Sequence, residues 1–169
     1  ELIANALEDQ AVSCFQGTDG IASVTVTNGG TVTYLWDNME TTQVIAGLTG
    51  GIYDVTITND DGCTAVSSVQ ITTPTEPLTV NIQEITPIIC GGSNEGSVEA
   101  FTTGPGNIIT YEWSSGTVGS LLDELFTGSY SVTATNENGC EATASFNLNE
   151  PPEIFAEYST MGVSCYGGL

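Results

Sequence analysis

The feature that most constrains this chain is an internal repeat. Val12-Ser13-Cys14-Phe15-Gln16-Gly17 returns as Ile88-Ile89-Cys90-Gly91-Gly92, and again as Val163-Ser164-Cys165-Tyr166-Gly167-Gly168. Asp19-Gly20 matches Glu95-Gly96, Tyr34-Leu35-Trp36 matches Tyr111-Glu112-Trp113, and Asn59-Asp60-Asp61-Gly62-Cys63 matches Asn136-Glu137-Asn138-Gly139-Cys140. The offset is 76 residues early in the unit and 77 later, so one residue is inserted midway. A solenoid repeat cannot fold alone, but a unit of about 75 residues can make a small domain. Pro74-Thr75-Glu76-Pro77 and Glu150-Pro151-Pro152 read as short, stiff, extended linkers, because proline fixes φ and restricts its predecessor. The expected organisation is beads on a string: repeat one over 1–75, repeat two over 76–151, and the first strand of a truncated third repeat over 152–169. The last segment stops inside a motif already seen, so the chain reads as an excerpt of something longer.

The dominant period within each unit is two. Val32, Tyr34 and Trp36 alternate with Thr31, Thr33 and Leu35, and Tyr53, Val55 and Ile57 alternate with Asp54, Thr56 and Thr58. Ile109, Tyr111 and Trp113, then Tyr130, Val132 and Ala134, repeat the pattern in unit two. Thr and Val are frequent in these runs, as half-buried strands prefer. Asp19-Gly20, Asn28-Gly29-Gly30, Asp61-Gly62 and Asn138-Gly139 punctuate them as turns. Six or seven short strands per unit imply an all-β fold, a tandem of small immunoglobulin-like β-sandwiches. Tyr34, Trp36, Tyr53, Tyr111, Trp113 and Tyr130 are expected in the cores. Tyr53 and Tyr130 follow Leu-x-x-Gly-x-Tyr, the pattern of a tyrosine corner.

Charge narrows the function. The chain of 169 residues has no Lys, Arg or His, against 21 Asp and Glu, for a net charge of −21. No cationic patch exists for nucleic acid or anionic lipid. No His or Lys can act as a general base. Only carboxylates could do chemistry, as a glycosidase pair does, and here they are scattered over turns. The chain is therefore read as non-enzymatic. No apolar run approaches a membrane span, and 40% apolar residues are enough for a core. Asp60, Asp61 and Glu137 are hard oxygen donors of the kind calcium takes, with Asp19 and Glu95 near the Cys motif, but no Asp-x-Asp-x-Asp-Gly loop is present. No cofactor is expected, with calcium as the alternative. Phe15 and Tyr166 are the candidate exposed aromatics for carbohydrate.

Five cysteines remain. Cys14 and Cys63 are 49 apart and Cys90 and Cys140 are 50 apart, each pair at equivalent places in one unit. Without His, a zinc site would need four thiolates, and each unit offers two. The spacing predicts one disulfide per repeat, Cys14–Cys63 and Cys90–Cys140, and hence an oxidising compartment. Cys165 is odd, with its partner expected beyond the chain.

Val-Ser-Cys-x-x-Gly-x-Asp-Gly, then Tyr-x-Trp, then Leu-x-x-Gly-x-Tyr-x-Val-x-x-Thr-Asn-x-x-Gly-Cys resembles the SprB repeat, twice over. Unit two departs at Ile89-Cys90-Gly91 and at Glu95 in place of Asp. The resemblance implies a giant surface adhesin of gliding and related Bacteroidota, exported by the type IX secretion system, with no catalytic residues to carry over. The expected function is a structural and adhesive stalk at the cell surface, or alternatively a carbohydrate- or calcium-binding extracellular module. The expected partners are neighbouring repeats of the same chain and a surface polysaccharide or substratum, with neither nucleic acid nor membrane insertion. In a filament assembled from short chains, a strand over 153–158 would complete a neighbour by β-augmentation.

Overall fold

The structure is a computed structural model that describes residues 1–159. Twelve strands follow in order: β1 (Ile3–Gln10), β2 (Gly20–Thr27), β3 (Val32–Trp36), β4 (Val44–Leu48), β5 (Gly51–Asn59) and β6 (Thr64–Ile71), then β7 (Thr79–Thr86), β8 (Gly96–Thr103), β9 (Ile108–Trp113), β10 (Leu121–Leu125), β11 (Gly128–Asn136) and β12 (Glu141–Leu148). In the first unit β1-β2-β4 form one sheet and β3-β5-β6 the other; the second unit repeats this as β7-β8-β10 and β9-β11-β12. Among the described residues all strand pairings are antiparallel, and none crosses between units. Each unit is thus a six-stranded immunoglobulin-like sandwich.

Alternation explains which faces meet. Val55 and Ile57 of β5 are fully buried, while Ile52 on the same strand is exposed. Trp36 and Trp113 are the largest fully enclosed side chains of their units. Each ring fills the gap between sheets, and each indole N–H is satisfied, donating to the Thr42 carbonyl at 2.9 Å and the Gly119 carbonyl at 2.9 Å. Tyr34 and Tyr53 pack half-buried against the first core, Tyr111 and Tyr130 against the second. The Tyr53 hydroxyl donates to the Thr49 carbonyl at 3.2 Å and the Tyr130 hydroxyl to the Phe126 carbonyl at 2.9 Å, pinning the turn before each strand. The buried clusters share no residue, so each sandwich has its own core.

The inserted residue falls at the start of β9, which has six residues where β3 has five, while the turns before them, 104–107 and 28–31, are equally long. A β-bulge takes it up: the pairing jumps from Thr135 with Thr110 to Asn136 with Ile108, so Thr110 to Trp113 keep the register that Thr33 to Trp36 have in unit one, whereas an unbulged extra residue would turn the rest of the strand inside out. Residues 153–159 take no strand pairing. The third-repeat reading otherwise rests on 160–169, and Cys165 and Tyr166 lie there, outside the described residues.

Candidate interface between repeats

Two local devices recur in both units, and each presents a cysteine. The first is the turn after β5 and after β11. The Asn59 side-chain oxygen accepts the N–H groups of Asp61 at 3.1 Å and Cys63 at 2.8 Å. Asn136 does the same for Asn138 at 3.0 Å and Cys140 at 2.9 Å. Gly62 at φ 78° and Gly139 at φ 79° take the left-handed conformation that lets the chain reverse just before the cysteine. Asn136 is almost completely buried, and its amide also donates to the Pro105 carbonyl at 3.2 Å.

The second device is the loop after β1 and after β7. One Asp19 carboxylate oxygen accepts the Ser13 N–H at 3.0 Å. One Glu95 oxygen accepts the N–H groups of Ile89 at 2.8 Å and Cys90 at 3.2 Å. Bonding from the Ser13 hydroxyl and amide holds the Asp19 carboxyl below the usual range. The Ile89 amide, then the Ser93 hydroxyl and the Cys90 amide, do the same for Glu95. These two acids are therefore clamps on the cysteine loop, and Glu in place of Asp serves the same end with a longer reach.

The two devices sit at opposite ends of each sandwich. The Val12 N–H donates to the Thr72 carbonyl at 2.8 Å, placing Cys14 by the far end of β6, whereas Cys63 precedes that strand's first residue. Eight residues of strand separate them, about 26 Å at the rise of an extended chain. A disulfide needs α-carbons within about 7 Å. The predicted Cys14–Cys63 bond is therefore corrected. The same holds for Cys90–Cys140, since the Gly92 N–H bonds the Glu150 carboxylate at 2.7 Å beyond the far end of β12, and Cys140 precedes that strand.

The disulfide that forms joins the units: Cys14 of the first to Cys140 of the second, with α-carbons 5.6 Å apart. The linker leaves β6 beside Cys14 and enters β7, whose first pair, Thr79 with Thr103, lies next to the β8–β9 turn. That turn touches the Cys140 turn, as the Glu137 N–H donates to the Asn107 carbonyl at 3.1 Å. The foot of one sandwich is thus delivered to the head of the next. A cleft at the seam is lined by Cys14, Phe15, Pro77, Leu78, Gly139 and Cys140, and Leu78 is buried there outside both cores. The Cys140 sulfur lies 3.4 Å from the Ser13 carbonyl oxygen, a packing contact, because a disulfide sulfur has no proton to donate. Cys63 and Cys90 carry no disulfide and are exposed.

The other candidate positions do not converge. Asp60 and Asp61 are exposed on the Cys63 turn, and the Glu137 carboxylate accepts from the Asn107 side chain at 3.2 Å. Among the described residues no three acidic or cysteine side chains gather as a metal centre requires. Phe15 is exposed, at 39%, and lies at the rim of the seam. Sequence reasoning missed Asn59 and Asn136, although an Asn four residues before the second cysteine of each unit was a visible signal.

Fold and seam together define a tandem of immunoglobulin-like sandwiches stapled head to foot. The SprB repeat family model matches residues 10–41, the stretch from the first cysteine loop through the Trp36 turn. No curated protein matches the chain. Among solved structures, a C-terminal intimin fragment in complex with the translocated intimin receptor is similar at 15% identity and TM-score 0.41, over 88% of this chain and 63% of that one. Fibronectin(III)-like modules of Clostridium thermocellum CbhA are similar at 14% and 0.34, over 92% and 100%. The Yersinia pseudotuberculosis adhesin InvE is similar at 12% and 0.29, over 88% and 58%. The chain therefore spans under two thirds of the intimin fragment, and at these TM-scores the likenesses carry no argument about function.

Proposed function

We propose that the chain is a load-bearing segment of a long extracellular repeat protein, a non-enzymatic adhesive stalk whose immediate partners are adjoining repeats. The observation that carries this is the Cys14–Cys140 bond, which links successive domains and spans 126 residues. A pull between the chain ends passes through that bond and leaves the enclosed residues unextended, sparing most of both sandwiches. The SprB match at 10–41 supports the surface-protein reading. The disulfide fits an oxidising compartment. The absence of Lys and Arg leaves trypsin-like proteases nothing to cut. Gliding motility, type IX export and a polysaccharide or substratum target are what the family resemblance adds.

Force spectroscopy on the chain held by its ends tests the load path. With the bond closed, unfolding should release about 430 Å less contour than after reduction, from 126 residues at about 3.4 Å each. Equal release in both states would refute the load-bearing role.

A further inference from the structure

We propose that Cys63 and Cys90 are the two open halves of the same inter-repeat bond, and that each takes as partner another repeat of this kind: Cys63 the first-motif cysteine of the repeat before it, Cys90 the turn cysteine of the repeat after it. Every bead is then stapled at both ends. The inference deepens the stalk reading and rests on it for the order of the beads.

The argument is equivalence within one molecule. Cys63 sits on the same Asn-capped, left-handed glycine turn as Cys140, and Cys140 is bonded. Cys90 sits in the same carboxylate-clamped loop as Cys14, and Cys14 is bonded. The turn and the loop are each presented the same way whether or not the sulfur is paired, so the unpaired members are preformed. The surroundings agree. At the closed seam Leu78 is buried. Around Cys90 the matching cleft, of about 450 Å³, is open, and Ile89 and Ile154, which line it, are 71% and 98% exposed. Apolar surface of this kind at a chain-continuing end is what a following sandwich head would cover.

Charge explains why a covalent bond is needed. Asp60 and Asp61 flank Cys63, and Glu95, Glu150 and Glu153 surround Cys90, with no cation in the chain to offset them. Two such faces repel, and the linker and the sulfur bridge together hold what the surfaces alone would not. Two covalent connections per junction also prevent adjoining sandwiches from swivelling. The bond forms by exchange with a small disulfide such as oxidised glutathione. One thiolate attacks it and releases one glutathione, and the second cysteine displaces the other from the mixed disulfide.

The test is a chain in which residues 1–153 occur twice in tandem. That segment holds both sandwiches and both cores entire, and Pro151-Pro152-Glu153-Glu1-Leu2 then reproduces the length of Pro74-Thr75-Glu76-Pro77-Leu78. Two variants have identical composition. With Cys63→Ser in the first copy and Cys90→Ser in the second, only the inner pair remains. With the substitutions exchanged, only the outer pair remains. In dilute glutathione buffer the inner-pair chain should lose both free thiols and give a Cys90–Cys63 peptide after cleavage at acidic residues. The outer-pair chain should keep two thiols, with closure at least about tenfold slower, a difference of 1.4 kcal/mol. Equal closure in both chains, closure in neither, or linkage mainly between molecules would overturn the proposal. Because the readout is pairing rather than force, it can fail while the load-bearing role stands, and the reverse.

Discussion

Met39 stands in the left-handed region at φ 72°, while its counterpart in unit two is Gly116 at φ 84°. The Met39 side chain is 80% exposed and its amide bonds the Trp36 carbonyl, so the backbone demand is met with no packing in return. A side chain in that conformation costs about 1–2 kcal/mol, and glycine gives back part of this through the entropy of its unfolded state. Met39→Gly is expected to raise unit-one stability by roughly 0.5–1 kcal/mol, a melting shift of a few degrees for a domain this size. A fall in thermal melting would contradict it. The clamps Asp19 and Glu95 set the acid limit. Both carboxyls are held below their usual range in the folded chain, so their stabilisation is present above the unfolded value and is lost as pH falls through the folded one. Mild acid first relieves repulsion among the other carboxylates. The melting temperature should therefore rise toward the ordinary carboxylate range and then drop below it, and Asp19→Asn with Glu95→Gln should weaken that final drop.

At the scale of elements, the two cysteine turns look alike but are not equally supported. Asn136 is buried, with three hydrogen bonds to Asn138, Cys140 and Pro105, whereas Asn59 is half-exposed and caps two amides. Removing a buried cap strands its partners at about 1–3 kcal/mol. Asn136→Ala is expected to cost about 2–3 kcal/mol in denaturant unfolding of unit two, and Asn59→Ala about 1 kcal/mol in unit one. Asn136→Ala should also slow closure of Cys14–Cys140 during refolding, because the Cys140 amide is released from its turn. Equal costs would mean that the shared backbone turn, and not the burial of Asn136, carries the stability. The strands themselves follow period two closely, and the inserted residue is taken up by a β-bulge at the start of β9, which leaves the register of the rest of that strand unchanged.

The whole molecule is a field of one sign. With a net charge of −21, every acid repels every other, and the Debye length contracts from about 30 Å at 0.01 M salt to about 10 Å at 0.1 M. Thermal stability should rise with salt. Calcium separates a diffuse field from a site. A field responds to calcium much as to magnesium at equal concentration, whereas a site built on Asp60, Asp61 or Glu137 gives a saturable, calcium-selective shift. The diffuse response is expected, and a selective shift abolished by Asp60→Asn with Asp61→Asn would revive the calcium-binding alternative.

The all-β class, the six-stranded units and the enclosed tryptophans were legible because alternation and turn chemistry are local, and a repeat prints them twice. The Asn-capped turns and the carboxylate clamps are also local, and they left a trace as recurring residues even though the acids read as turns or weak cation ligands. The disulfide was not legible. Equal spacing of Cys14 to Cys63 and Cys90 to Cys140 states only that the units are equivalent, and equivalence holds whether the bond closes within a bead or between beads. The length of β6 and the path of the linker decide it. One strand holds the two cysteines of a bead at opposite ends, and the linker brings the foot of one bead to the head of the next. Sequence fixes what each bead is, since that depends on neighbours along the chain. Which sulfurs meet depends on distances across the folded chain, and only the tertiary structure sets those.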